Sequence, residues 1–174
     1  MRTLHNIDLK NNESGFTLRW QDRLILSHTA DAPCLWIGAG EADIEMFRGN
    51  FSIKDKLNEK IALTDATVTQ QSAGWAIRFT RGDAVSATLL VGVDAEGRLE
   101  LKLKNDAASH NRIWLRLAAQ PEDHIYGCGE QFSYFDLRGK PFPLWTSEQG
   151  VGRNKQTYVT WQADCKENAG GDYY

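Results

Sequence analysis

Long apolar runs and an excess of charge of one sign are both missing from this chain of 174 residues. No apolar stretch approaches the ~20 residues that span a bilayer. Lysine and arginine together number 20 against 23 aspartates and glutamates, which gives a net charge of −3, and both signs are interspersed. Nucleic acids favour a basic face, and anionic membranes favour a polybasic segment. The composition therefore predicts neither a nucleic-acid partner nor a membrane partner.

Cysteine and histidine are sparse as well. The cysteines at positions 34, 128 and 165 are odd in number, widely spaced and without a Cys-x-x-Cys pair, unlike a disulfide framework or a zinc site. None of the four histidines forms a close metal-ligand pair with another His or Cys, and only His124 adjoins a motif of interest. The N-terminal residues contain no apolar core of a secretory signal. We therefore expect free thiols in a reducing cytoplasm and no bound metal.

Alternation of apolar and polar residues recurs from residue 15 to about residue 120. Phe16, Leu18 and Trp20 share one face of a predicted strand. The same period of two recurs in four further runs, at residues 75–79, 85–93, 99–104 and 113–117. Clusters of Gly, Asn and Asp separate the runs, and all four prolines lie outside them. The pattern predicts an all-β fold, an antiparallel β-sandwich. Only residues 42–60 hint at a helical turn.

The character of the sequence changes near Pro121. Beyond this residue the strict alternation fades, and glycine, aromatic and charged residues are mixed. Such a mixture is typical of functional loops held on a rigid scaffold. We therefore predict two parts, a β-sandwich over residues 1–120 and a loop-rich extension over residues 121–174.

The densest cluster of special residues in the extension is Gly127-Cys128-Gly129-Glu130. Two glycines one residue apart permit a tight bend, and a carboxylate follows at once. The cluster lacks the third glycine of a dinucleotide fingerprint and the Gly-Lys-Ser/Thr of a phosphate loop, and no cofactor is predicted. Taken alone, it is also consistent with a β-bulge that carries a solvated glutamate. The candidate functional residues of this region are Gly127, Gly129, Glu130, Phe132, Arg138 and Trp145.

Catalytic groups are not identifiable from spacing. No Gly-x-Ser-x-Gly nucleophile elbow occurs. Glycoside cleavage usually needs two carboxylates that flank the bond. Four carboxylates of the extension show no evident pairing: Asp123, Glu130, Asp136 and Glu148. Tryptophan stacks well on the apolar face of a sugar, but Trp20 and Trp75 are in phase with core positions. Trp145 lies in a predicted loop and is the best candidate to face a ligand or an interface.

The Gly-x-Gly-Glu element and its surroundings resemble glycoside hydrolase family 31. The similarity includes residues 23–26, 34–38, 46–56 and everything from residue 111 onward, so it covers essentially the whole chain. In that family an N-terminal β-sandwich of the galactose-mutarotase type carries this element, and a loop then reaches toward a catalytic (β/α)₈ barrel. The resemblance implies that the chain is the substrate-side domain of a retaining α-glycosidase, with a carbohydrate as its partner.

The same resemblance implies where the chemistry takes place. Both catalytic groups of the family are aspartates on the barrel, which needs ~250 residues by itself. They are therefore expected beyond Tyr174, and no catalytic residue is assigned in this chain. We expect the chain alone to be inactive and to self-associate through exposed surface of residues 121–174. Two alternatives stay open: a free-standing carbohydrate-binding β-sandwich module, and a mutarotase-like epimerase with its own acid and base. A shared fold does not decide among them.

Overall fold

The fold is built almost entirely of β-strands. A computed structural model describes residues 6–47, 50–82, 85–127 and 135–140. No α-helix occurs in these ranges, and thus no helix long and apolar enough to cross a membrane. The strands, in chain order, are β1 Ile7–Asn12, β2 Gly15–Trp20, β3 Arg23–Thr29, β4 Leu35–Phe47, β5 Asn50–Ala62, β6 Asp65–Gln71, β7 Gly74–Arg81, β8 Val85–Val93, β9 Leu99–Asn105 and β10 Arg112–Leu115.

The strands are arranged in three sheets. Strands β1, β2 and β3 form the first sheet, the second has the order β10-β4-β5, and the third has the order β6-β7-β8-β9. The pairings within the first and third sheets, and that of β10 with β4, are antiparallel. Leu18 lies opposite Leu26, for example, and Phe79 lies opposite Ala87. These pairings confirm the predicted all-β, antiparallel fold class.

Alternate residues of the three sheets meet in one hydrophobic core. Phe16 and Leu18 of β2 and Ile77 and Phe79 of β7 are at most 1% exposed. The third sheet adds Ala87, Leu89 and Val91, and the second adds Leu35 and Ile37. Burial of one such aliphatic or aromatic side chain stabilises the fold by ~1.5–3 kcal/mol. Trp20 and Trp75 pack against this core, as their phase in the sequence predicts.

One histidine lies inside this apolar core. The His28 ring is 1% exposed, stacks on Phe16 with centroids 5.5 Å apart and meets the edge of Phe79 at 5.2 Å. Its Nε2 lies 3.1 Å from the carbonyl oxygen of Thr64, and its Nδ1 accepts from the backbone N–H of Cys34 at 3.4 Å. One neutral tautomer satisfies both contacts. Burial lowers the pKa of His28 and raises the pKa of the Cys34 thiol to about 11, so both groups are structural and uncharged at neutral pH.

The hint of a helical turn at residues 42–60 is wrong. Strands β4 and β5 occupy this region and are neighbours in the second sheet. Glutamate, alanine, methionine and lysine here are good helix formers. Their local preference is overridden because pairing with an adjacent strand satisfies the backbone, and strand formation depends on such context more than helix formation does.

The chain divides into two compact units. The first contains residues 1–41 and 55–119, which include the whole core described above, and the second contains residues 42–54 and 120–174. The division into a sandwich over residues 1–120 and an extension over residues 121–174 stays a prediction about domain organisation.

Candidate functional site

Two short described segments flank, in sequence, the predicted loop that contains Glu130. We call residues 120–127 and 135–140 the loop neck. Gly127 and Arg138 lie in it, and Gly127 has a φ of +105°, a conformation that favours glycine. The other four predicted site residues lie outside the described residues: Gly129, Glu130, Phe132 and Trp145. The neck is therefore the part of the predicted site whose geometry is known.

Asp136 is at the centre of the hydrogen bonds in the loop neck. Its Oδ1 accepts from the backbone N–H of Ile125 at 3.1 Å and from that of Arg138 at 3.0 Å. Its Oδ2 lies 2.6 Å from Nδ1 of His124. The backbone N–H of Leu137 also donates to the carbonyl of Ile125 at 2.8 Å. One carboxylate thus joins the two sides of the neck, and a backbone hydrogen bond reinforces the closure.

The surroundings of Asp136 favour its ionised form. The hydrogen bond with His124, followed by those from the backbone amides of Ile125 and Arg138, lowers the pKa of Asp136 to about 2. The His124 side chain is 61% exposed, so solvent and salt screen its attraction to the carboxylate. Backbone amides that donate to a charged acceptor give stronger, better-fixed contacts. Asp136 is therefore an anchoring carboxylate, and its low pKa is unsuited to a general acid at neutral pH.

Arg138 holds the beginning of the loop neck against its end. Its Nη1 donates to the carbonyl oxygen of Gln120 at 2.5 Å and to that of Asp123 at 2.9 Å. The backbone N–H of Gln120 donates in turn to Oδ2 of Asp123 at 2.8 Å. The guanidinium is thus engaged with backbone at the start of the neck. The predicted action of Arg138 together with Glu130 stays a prediction, because Glu130 lies outside the described residues.

Two aromatic rings protrude where the loop leaves the neck. Tyr126 and Phe135 have ring centroids 5.0 Å apart and are 56% and 88% exposed. The His124 ring stacks on Tyr126 at 6.0 Å, which connects the ring pair to the Asp136 anchor. Exposed apolar rings of this kind are typical of surfaces that contact a ligand or another protein segment. The neck therefore presents an apolar edge at its two ends nearest in sequence to Glu130.

The sequence names His124 and Asp136 but does not predict their contact. The two residues are 12 positions apart, and only the closure of the neck brings them together. A local signal does exist at Asp136-Leu137-Arg138, since an aspartate often accepts from the backbone N–H two residues further on. Within residues 6–47, 50–82, 85–127 and 135–140, no group of three His, Cys, Asp or Glu side chains is placed to hold a metal ion.

Known proteins match nearly all of this chain. It is 78% identical over 171 residues to a sulfoquinovosidase of Escherichia coli strain K12, an alignment that covers 98% of this chain and 25% of that protein. It is 42% identical over 172 residues to a sulfoquinovosidase of Agrobacterium fabrum strain C58, covering 95% of this chain and 24% of that protein. The chain thus spans about a quarter of the length of these relatives.

A solved structure agrees with these sequence matches. A sulfoquinovosidase of family GH31 from E. rectale, in complex with the aza-sugar inhibitor IFGSQ, superposes with a TM-score of 0.71 at 41% identity. The superposition covers 96% of this chain and 24% of that one. Residues 9–163 match the glycosyl hydrolase 31 N-terminal galactose mutarotase-like domain. This chain belongs to glycoside hydrolase family 31, through its N-terminal galactose mutarotase-like domain.

Proposed function

We propose that this chain is the N-terminal, substrate-side domain of a retaining α-glycosidase that hydrolyses α-sulfoquinovosides. The observation that carries the proposal is the 78% identity to the E. coli sulfoquinovosidase over 98% of the chain. A free-standing carbohydrate-binding module and a mutarotase-like epimerase have no such support, because both relatives are sulfoquinovosidases of which the chain spans 25% and 24%. We place the protein in the cytoplasm, a proposal that the odd number and wide spacing of its three cysteines support.

In this proposal the two catalytic aspartates lie outside these 174 residues, and the chain supplies the loop beside the substrate. The loop neck acts as its anchor: the side chains of Asp136 and Arg138 hold the two ends of the loop together through four hydrogen bonds to residues between 120 and 125. A loop whose ends are fixed loses less conformational entropy when it orders around a substrate. The substrate-side residues proposed in this way are Gly127, Gly129, Glu130, Phe132, Arg138 and Trp145.

A domain exchange tests the proposal. The 171 matching residues of the E. coli sulfoquinovosidase are replaced by this chain, and the chimera is assayed with an aryl α-sulfoquinovoside and an aryl α-glucoside. We expect kcat/KM for the sulfonated substrate to stay within about tenfold of the parent, a loss of at most ~1.4 kcal/mol of transition-state stabilisation. The isolated chain should turn over neither substrate. A folded chimera that has lost hydrolysis of the sulfoquinovoside would refute the proposal.

Variants in the same chimera test the loop. We expect Glu130→Ala and Arg138→Ala each to lower kcat/KM by about tenfold, or ~1.4 kcal/mol, because the loop then loses a charged group or its anchor. Glu100→Ala on β9 is the matched control, since it removes a carboxylate remote in sequence from the loop and its neck. Unchanged kinetics in both loop variants would show that neither side chain contributes to binding or hydrolysis of the substrate.

A further inference from the structure

An open groove of about 690 Å³ lies in the first unit, and none of its lining residues belongs to the loop neck. We call it the tryptophan groove. Its lining residues are Trp36, Lys60, Ile61, Ala62 and Arg81. A tryptophan and a lysine from the second sheet and an arginine from the third sheet thus line one groove.

The register of two strands places a second tryptophan next to Trp36, the tryptophan that lines the groove. Trp114 of β10 lies directly opposite Trp36 of β4, so both side chains are on the same face of the sheet. Leu35 and Ile37 are fully buried in the core, and Trp36 between them therefore points outward. Gly38 gives the Trp114 ring its space, since a Cβ at this position would come within 2.9 Å of two ring carbons. We call this pair of cross-strand neighbours on the outer face the indole platform, of which Trp36 lines the groove.

Two cations lie over the indole platform, and a third lines the groove beside Trp36. Nζ of Lys60 lies 4.5 Å from the centroid of Trp114 and 5.5 Å from that of Trp36, and Cζ of Arg116 lies 5.5 Å from Trp36. Arg81 lines the same groove. All three cations are exposed, and in the part of the chain that the structure describes none forms an ion pair with a carboxylate. The tryptophan groove is therefore a cationic surface in a chain of net charge −3.

We propose that the tryptophan groove binds an anionic sugar, a hexose that carries a sulfonate or a phosphate group. The indole platform suits the apolar C–H face of a sugar ring, which aromatic side chains stack against. Lys60 and Arg81 supply charge-assisted hydrogen bonds to an anionic oxygen, for which a guanidinium is well shaped. An exposed cation–π contact is weak, so Lys60 is free to turn from the rings to a bound anion. A neutral sugar would use the platform but leave the cations without a partner.

This second site goes beyond the proposed glycosidase function and does not rest on it. The residues of the tryptophan groove belong to the first unit, whereas the loop neck belongs to the second. Loss of binding in the groove would leave the chimera assay unaffected, and an inactive chimera would leave the binding measurement unaffected. The two hypotheses can therefore fail separately.

The test is a titration of the 174-residue chain, followed by the indole N–H signals of its tryptophans in NMR spectra. The probes are 6-deoxy-6-sulfoglucose, glucose 6-phosphate, glucose and inorganic phosphate, so that sulfonate, phosphate, sugar and bare anion are separated. We expect both anionic hexoses to shift the signals of Trp36 and Trp114, and to bind about tenfold more tightly than glucose or inorganic phosphate. The stronger of the two anionic probes then identifies the preferred anion.

Paired variants locate the site. Lys60→Gln with Arg81→Gln should weaken binding of both anionic hexoses by about tenfold, because charge-assisted hydrogen bonds are lost. Lys102→Gln with Lys104→Gln on β9 removes the same charge from side chains that are 65% and 78% exposed, and should leave binding unchanged. Both pairs replace exposed residues, and the dispersion of the NMR spectrum verifies the fold.

Five results would overturn the proposal. Equal binding of inorganic phosphate and glucose 6-phosphate would reveal a general anion site without sugar recognition. Equal binding of glucose would show that the cations take no part. Binding that is unchanged in the Lys60 and Arg81 double variant, or indole signals that no anionic hexose shifts, would place the ligand elsewhere or nowhere. Polyglutamate is titrated as a fifth probe, and its tighter binding than either hexose would assign the groove to an acidic peptide instead.

Discussion

Acidification below about pH 6.5 should destabilise the folded chain through His28. Burial is the largest cause of the lowered pKa of this ring, and the nearby charge of Arg116 acts in the same direction, whereas the hydrogen bond to Thr64 and the charge of Asp65 oppose it. The unfolded ring has a pKa of about 6.5 and takes up a proton first as the pH falls. The stability is therefore fully present above that pH and declines toward the lower folded pKa.

The size of the effect follows from one proton on one buried ring. The free energy of unfolding should fall by about 1.4 kcal/mol for each pH unit over which the unfolded ring is charged and the folded ring is neutral. Protonation of the ring in the folded chain is unfavourable, because the ring is 1% exposed and lies between the apolar rings of Phe16 and Phe79. A loss of that size over one pH unit is a substantial part of the typical free energy of unfolding of a domain, which is on the order of 5–15 kcal/mol.

Urea unfolding, followed by tryptophan fluorescence at intervals between pH 7.5 and pH 5, measures this slope. His28→Gln retains an amide that can donate to the Thr64 carbonyl but cannot titrate, so its free energy of unfolding should be lower at every pH and should depend less on pH. Leu103→Ala removes an apolar contact with the core and no ionisable group, and should lower the curve without a change in slope. An unchanged slope in His28→Gln would refute the reasoning.

Three further outcomes are expected. Asp136→Asn should speed proteolysis of residues 128–134 at pH 7, and equal cleavage of both proteins at this pH would contradict the prediction. In the unsubstituted protein the ionised carboxylate of Asp136 should hold the neck closed above about pH 4, and the neck should open as the pH falls toward 2. Asn111→Ala should lower the free energy of unfolding by ~1–2 kcal/mol, because the side-chain amide makes two hydrogen bonds with the backbone of Gly40, at 3.1 and 2.9 Å; an unchanged urea midpoint would count against it. Phe135→Ser should reduce self-association in analytical ultracentrifugation, since this ring is 88% exposed, and a chain that is monomeric without the substitution would remove the premise.

Much of the fold could be predicted from the sequence because strand periodicity is a local signal. The runs that contain Phe16, Leu18 and Trp20 and those near residues 75–79, 85–93 and 99–104 all became strands with the expected face inward. The error at residues 42–60 has the opposite cause. Helix-forming residues there pair with a neighbouring strand, and no local pattern encodes the presence of that neighbour.

The candidate sites were less predictable because each depends on contacts between distant residues. The sequence directs attention to Trp145 among the tryptophans, whereas the platform of the tryptophan groove uses Trp36 and Trp114, which are 78 positions apart by their numbers and meet only through the β4–β10 register. Lys60 reaches the same platform from a third strand. No period or motif in any one of these segments predicts that the three residues lie close together in space.

By itself, the sequence determined the fold class, the balance of charge and the membership of family 31, since periodicity, composition and motif similarity all reside in the order of residues. Only the tertiary structure decided that Asp136 anchors the loop neck with a pKa of about 2, that His28 is buried and neutral, and that cations lie over Trp36 and Trp114. The physical reason is that burial, hydrogen bonding and the approach of charges depend on distances through space, which strand pairing sets between residues far apart in the chain.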